Sequence, residues 1–116
     1  AVTEPLIMAS GKWVLIPTGL KMAIPVGYEV QVRPRSGLAF KHGVTVLNAP
    51  GTIDADYRGE LKILLINNGQ ESYVINRGDR IAQLIVAKIH QPEIIEVKEL
   101  STTDRGEGGF GSTGLK

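Results

Sequence analysis

The sequence predicts an all-β fold, a jelly-roll-like antiparallel β-barrel or sandwich followed by a flexible glycine-rich C-terminal arm. Three features carry that expectation: two-residue alternation over 26–33, a series of short β-rich runs separated by turn residues, and a change of composition after residue 100. No stretch carries a helical apolar stripe of about a dozen residues.

The first β-rich run is Lys12–Ile16. In the next, Val26, Tyr28, Val30 and Val32 fall on one face and Gly27, Glu29, Gln31 and Arg33 on the other, the pattern of a half-buried strand. Further runs follow at Val44–Leu47, Leu61–Ile66, Ser72–Ile75, Arg80–Ile89 and Glu93–Val97. Residues 61–66 and 81–87 are nearly continuous apolar stretches, which predicts strands covered on both faces. Asn68-Gly69 predicts a type I′ hairpin, whose two central residues need positive φ. Ala49-Pro50-Gly51 and Arg77-Gly78-Asp79 have the composition of turns. Short strands at such regular spacing imply an antiparallel barrel or jelly roll.

The expected division is a β-domain over 1–100 and an arm over 101–116. The arm has glycine at 106, 108, 109, 111 and 114, and its only large apolar residues are Phe110 and Leu115. Such a segment buries too little surface to order itself. Its composition fits a frayed terminus, and it also fits an arm that closes over a ligand.

With 116 residues, the chain has the size of one domain. A net charge of +1 argues against a non-specific nucleic-acid binder. No apolar run is long enough to span a membrane, and no secretory signal is visible, so a cytoplasmic location is expected. Cysteine is absent, and His42 and His90 lack metal-ligand spacing. No metal-ligating residue is therefore assigned, and chemistry falls to carboxylates, hydroxyls, amides, arginines and glycine-rich backbone.

Four segments concentrate residues suited to nucleotide chemistry. Pro34-Arg35-Ser36-Gly37 offers a guanidinium fork for phosphate, a hydroxyl and a residue that permits close backbone approach; alone, it is better read as a strand-ending turn. Asn48–Glu60 carries Asp54 and Asp56, which project on one side of an extended chain, and Tyr57, whose ring can pack on a sugar. A solvated acidic loop has the same composition. In Arg77–Leu84, Gln83 is a polar residue in an apolar run, so its amide must pair with a neighbouring strand or a ligand. Asp104–Gly114 combines glycine-rich backbone with Arg105, Ser112, Thr113 and Phe110, material for enclosing a polyphosphate and stacking on a base. It lacks the ending of a P-loop.

In order, PRSG at 34–37, GTIDADYRG at 51–59 with Asn48 upstream, RGDRIAQL at 77–84 and RGEGGFGSTG at 105–114 resemble motifs two to five of the homotrimeric dUTP pyrophosphatase family. The family's first motif, Ala-Gly-x-Asp-Leu, has no counterpart in Ala1–Met8 and is expected upstream of Ala1. The resemblance implies a jelly-roll homotrimer that hydrolyses dUTP to dUMP and pyrophosphate, limiting uracil incorporation into DNA and supplying dUMP for dTMP synthesis. It implies Mg²⁺ held mainly by substrate phosphates and water. Asp54 is the implied base for water attacking the α-phosphorus. Asn48, Gly51, Thr52, Ile53, Asp54, Tyr57 and Lys62 are implied at the nucleoside, and Arg35, Ser36, Gly37 and Gln83 at the phosphates. Arg105, Gly109, Phe110, Gly111, Ser112 and Thr113 would close from a neighbouring subunit. A dCTP deaminase-like enzyme shares the barrel and a similar fourth motif, but normally has Arg-Ser-Ser where this chain has Arg35-Ser36-Gly37. A non-catalytic trimeric nucleotide binder is the alternative from another class.

Overall fold

The structure is a computed structural model that describes residues 2–114. Eight strands run in the order β1 (Leu6–Met8), β2 (Trp13–Pro17), β3 (Tyr28–Arg33), β4 (Val44–Val46), β5 (Gly51–Ile53), β6 (Lys62–Asn67), β7 (Tyr73–Ile75) and β8 (Gln83–Lys88). A single short helix, α1 (Ser36–His42), lies between β3 and β4. The strands form three antiparallel sheets, β1-β7, β2-β6-β4 and β5-β3-β8. This is the expected jelly-roll-like β architecture. No helix among the described residues is long and apolar enough to cross a membrane.

Alternation places the core. Val30 and Val32 of β3 are buried, as are Ile63 and Leu65 of β6, Val44 and Val46 of β4, and Ile16 of β2. The β3 pattern starts later than the sequence suggests. Val26 is 94% exposed because Pro25–Gly27 forms a turn, with the Tyr28 amide donating to the Pro25 carbonyl and Gly27 at φ +93°.

Several other expectations are corrected. β6 is not covered on both faces: Ile63, Leu65 and Asn67 are buried, whereas Leu64 and Ile66 are half-buried. β8 is an edge strand that overhangs the core, so Leu84 and Val86 stay exposed although they share a face with buried Val32 and Val30. Residues 93–97 form no strand, and Ile94, Ile95 and Val97 are exposed. The helix at Ser36–His42 replaces the turn expected after β3.

Asn68-Gly69 does not close a hairpin either. Neither residue has positive φ, and β6 pairs with β2 and β4, while β7 pairs with β1. The glycine serves a backbone crossing instead. Gly43, at φ +69°, ends α1, and a Cβ there would lie 2.5 Å from the Gly69 nitrogen; a Cβ on Gly69 would collide with the His42 carbonyl.

Asn67 holds this corner. Its side chain is fully buried, donating to the Met8 carbonyl at 2.9 Å and the Glu71 carbonyl at 2.8 Å and accepting from the Gly69 amide at 2.9 Å. Its backbone bonds Gly11 and Lys12. One amide therefore ties β1, the turn into β2 and the loop after β6. Asn67→Ala leaves these buried groups unpaired, and a loss of about 2–4 kcal/mol is expected, read as a fall in the thermal unfolding midpoint. A variant as stable as the parent would show that the corner is held by packing alone.

Candidate active site

β3 carries the site because it is bonded along both edges. On one side Val32, Gln31 and Val30 face Gly51, Thr52 and Ile53 of β5. On the other, Arg33 faces Gln83 and Tyr28 faces Lys88 of β8. One strand thus sets the positions of the segments at 34–37, 51–59 and 77–84.

At the Arg33 end, two hydrogen bonds join the second segment to the fourth. The Gln83 amide donates to the Pro34 carbonyl at 2.9 Å, and the Arg35 guanidinium donates to the Arg80 carbonyl at 3.1 Å. Gln83 is exposed rather than enclosed in its strand, so its partner is a loop carbonyl and not a neighbouring ladder. Arg35 and Gln83 border a cavity of about 380 Å³ with Thr18, Leu20, Arg80 and Leu84. Ser36 and Gly37 open α1, and both are exposed. Asp79 accepts from the Asn76 amide and closes the Gly78 turn, as its composition predicted.

The third segment begins where Asn48 lies against β5. A Cβ on Gly51 would come within 3.3 Å of both the Asn48 amide nitrogen and Val32. Ile53 is buried, while Thr52 and Asp54 are exposed. After Asp54 the chain turns, the Tyr57 amide donating to the Asp54 carbonyl at 3.1 Å. Asp54 and Asp56 are therefore not on one extended face, contrary to their spacing. Of the two, only Asp54 lines the 240 Å³ cavity formed with Thr52, Ile53, Tyr57, Glu60, Leu61 and Lys62.

The Tyr57 ring is fixed at its hydroxyl end. Its hydroxyl donates to the Glu60 carbonyl at 2.8 Å, and a Cβ on Gly59 would lie 2.5 Å from that hydroxyl. Arg58 turns back onto the Ala55 carbonyl at 2.6 Å. Behind this loop between β5 and β6, Thr18–Leu20 is bonded to Glu60 and Leu61. Sequence reasoning assigned Thr18 and Glu60 no role, since neither belongs to a recognisable chemical pairing.

Among the described residues, the fifth segment bonds to itself and, through the Gly106 amide, to the Thr103 hydroxyl at 3.1 Å. Arg105 donates to the Gly108 carbonyl at 2.6 Å, and Ser112 to the Gly109 carbonyl through its amide at 3.0 Å. Phe110, at φ +50°, is fully exposed, with Gly111 at φ +84° beside it. Thr113 is exposed too.

These pieces do not converge in one chain. Ile53 faces Val30 and Gln83 faces Arg33, on opposite edges of β3. Three residues along the strand and two strand spacings across it put them about 14 Å apart. Asp54 follows β5 beyond Ile53, and Pro34–Ser36 follows β3 beyond Arg33. The cavity of the β5–β6 loop and the arginine-serine edge are thus separate in one chain, with Leu61 bordering a cavity on each side.

The molecule is thus a jelly-roll-like β protein whose candidate site residues lie in separate groups along β3 and in a glycine-rich C-terminal segment. Residues 1–114 match the family described as dUTPase, and the chain belongs to that family. It is 63% identical over 111 residues to the deoxyuridine 5'-triphosphate nucleotidohydrolase of Nautilia profundicola, covering 96% of this chain and 78% of that protein. Identity to the protein of the same name from Fusobacterium nucleatum subsp. nucleatum is 57% over 113 residues, covering 97% and 77%. The dUTPase of Staphylococcus bacteriophage 80alpha, solved as a mutant with dUpNHpp, superposes with a TM-score of 0.87 at 30% identity, covering 97% of this chain and 82% of that one. A mutant dUTPase of phage phi11 of S. aureus, described for its coordination of a structural Mg(II) ion, superposes at 0.75 with 29% identity, covering 83% and 78%.

Gln83→Leu keeps the strand's apolar character and removes the bond to Pro34. Amide hydrogen exchange at 35–37 is expected to quicken about five- to tenfold, the worth of one hydrogen bond. Unchanged exchange would show that Gln83 does not hold this loop.

Proposed function

We propose that this protein hydrolyses dUTP to dUMP and pyrophosphate at sites shared between the chains of a homotrimer. The observation that carries this reading is the division of the site. An attacking water and the groups that stabilise the attacked phosphorus must lie within hydrogen-bond reach, about 3 Å. Groups about 14 Å apart on one sheet meet that condition only when one copy presents its β5–β6 loop to the arginine-serine edge of another. The names of the relatives and the family match support this substrate and disfavour the deaminase-like reading.

The chain is also incomplete by itself. Its radius of gyration is 19.3 Å, against about 13 Å for a compact chain of this length. Ile94, Ile95, Val97 and Leu100 are exposed among the described residues. Packing this segment and the arm on neighbours would bury that surface and bring the fifth segment to a nucleotide.

In the proposed site, Asn48 and the backbone of Gly51–Asp54 meet the uracil edge, with Lys62 on the returning strand. Tyr57 packs under the deoxyribose and leaves no room for a 2′-hydroxyl. A site arranged for uracil's donors and acceptors rejects cytosine, because mismatched buried polar groups go unpaired. Arg35, Ser36, Gly37 and Gln83 of a second chain meet the phosphates. Arg105, Gly109, Gly111, Ser112 and Thr113 of the arm enclose them, and Phe110 stacks on the base. Closure of the arm excludes bulk water and completes the donor set.

Asp54 orients a water and takes its proton as the oxygen attacks the α-phosphorus. The bond from that phosphorus to its bridging oxygen breaks, and pyrophosphate leaves. The described residues contain no cluster of three His, Cys, Asp or Glu side chains that could hold a metal ion. Mg²⁺ is a hard cation that takes phosphate and water oxygens with few protein ligands; carried in by the nucleotide, it would neutralise phosphate charge. The protein would thereby limit uracil incorporation into DNA and supply dUMP for dTMP synthesis.

Asp54→Asn is expected to bind dUTP as the parent does and to lose about 10²–10⁴-fold in turnover. Full activity in a dUTP hydrolysis assay would remove Asp54 from its role. Sharing of sites has its own test. Asp54→Asn and Arg35→Ala, each inactive alone, should regain activity when unfolded and refolded together, since some sites then combine an intact Asp54 with an intact Arg35. A mixture as inactive as its components would place both residues in one chain's site.

A further inference from the structure

We infer that Glu60 and the Thr18–Gly19–Leu20 segment are positioning elements that hold the wall of the 52–62 cavity in place, and thereby set discrimination between uracil and thymine. The inference rests on the β5–β6 loop binding the base. The two bases differ by one methyl group, and a cavity excludes a methyl only if its wall cannot recede.

That wall is a loop. No strand covers residues 54–61, yet Tyr57, Glu60 and Leu61 line the cavity. Four hydrogen bonds from a segment distant in sequence prevent its retreat. The Thr18 amide and hydroxyl both donate to the Leu61 carbonyl, at 3.2 and 2.6 Å, and the Leu61 amide donates to the Leu20 carbonyl at 2.8 Å. The Gly19 amide donates to the Glu60 carboxylate at 3.0 Å. The Thr18 hydroxyl also accepts from the Leu20 amide at 3.1 Å, which fixes the segment's own turn.

Glu60 joins this clamp to the Tyr57 ring, which in the proposed site lies under the deoxyribose and borders the same cavity as the base. Its carboxylate takes the Gly19 bond while its carbonyl accepts the Tyr57 hydroxyl. A shift of Glu60 therefore moves the Tyr57 ring. The Gly19 bond is charge-assisted, hence among the stronger ties of the loop. Leu61, buried beneath, anchors the same stretch in the core. Glu60 does not touch the reacting phosphorus in the proposed geometry; it acts through Tyr57 and Leu61.

The test compares parent, Glu60→Ala, Glu60→Gln and Thr18→Val, each as the full chain. Affinities for dUMP and dTMP are measured by titration calorimetry, and kcat and KM are measured with dUTP and dTTP. A rigid wall distinguishes one methyl by roughly 10- to 200-fold. Glu60→Ala should lose at least about tenfold of that preference, through weaker dUMP binding, a raised KM for dUTP and admission of dTMP, with kcat for dUTP little changed. Glu60→Gln retains an acceptor oxygen and should restore the preference. Thr18→Val, which removes a hydroxyl with little change of shape, should relax it as well and covers the case in which Glu60→Ala fails to fold. Folded variants with the parent's dUMP-to-dTMP ratio would overturn the positioning role, as would a Glu60→Gln protein no better than Glu60→Ala. A parent that binds dUMP selectively without hydrolysing dUTP would sink the proposed reaction and leave this inference standing. A parent that binds neither nucleotide would overturn both.

Discussion

Strand β3 is hydrogen-bonded along both of its edges, and each fixed part of the candidate site takes its position from that pairing. Slipping β3 by one residue would exchange buried Val30 and Val32 for Glu29, Gln31 and Arg33. The outward residues already form a chain of their own, Gln31 donating to Glu29 at 2.7 Å and Arg33 to Gln31 at 2.8 Å. Core and polar face thus agree on a single register. The same register that makes these positions reproducible also separates them, because Asp54 follows the end of β5 toward the Tyr28 end of β3, whereas Gln83 opens β8 at the Arg33 end.

This division explains an apolar surface that would otherwise be a liability. Val86 on β8 and the 94–100 segment expose large side chains, and β8 has a free edge. Exposed patches and open edges on a β protein invite association. In the proposed trimer the association is the functional one. Assembly would cover those side chains in the same step that joins the β5–β6 loop to the arginine-serine edge, so stability and activity would depend on one set of contacts.

Much of the sheet architecture was legible in the sequence, because alternation over Val30 and Val32 and the turn residues at Gly78 report local geometry. What failed depended on non-local partners. The apolar run 81–87 reads as a buried strand, but it contains the edge strand β8, whose Leu84 and Val86 stay exposed. Asn68-Gly69 carries the composition of a hairpin, yet its glycine is needed for a crossing with His42–Gly43, residues far away in sequence. Asp54 and Asp56 have the right spacing for one face only if the chain stays extended, and the Tyr57 amide bond to Asp54 shows that it turns. For the site, the motif residues were visible as chemistry. The clamp through Thr18 and Glu60 was not, since a threonine beside a glycine and a glutamate in an acidic loop signal nothing until the fold brings them together.

The two ends of the proposed site call for different materials. Telling uracil from thymine turns on one methyl group, so the wall beside the base must be stiff. Here it is backed by Thr18 and by a core leucine, both fixed in the fold. A polyphosphate must enter before it can be enclosed and leave after it is cut, so the groups that enclose it cannot be part of a packed wall. The 105–114 segment suits that requirement. Its turns are closed by its own short-range hydrogen bonds, and Phe110 buries nothing against the domain, so docking the arm breaks no contact with the body of the chain. A glycine-rich arm loses much conformational entropy on closing, which makes its docking weak unless a nucleotide is present to stack on Phe110 and bond the backbone. Weak docking without ligand and tighter docking with it is the property a site needs to admit substrate, exclude water during attack and release pyrophosphate.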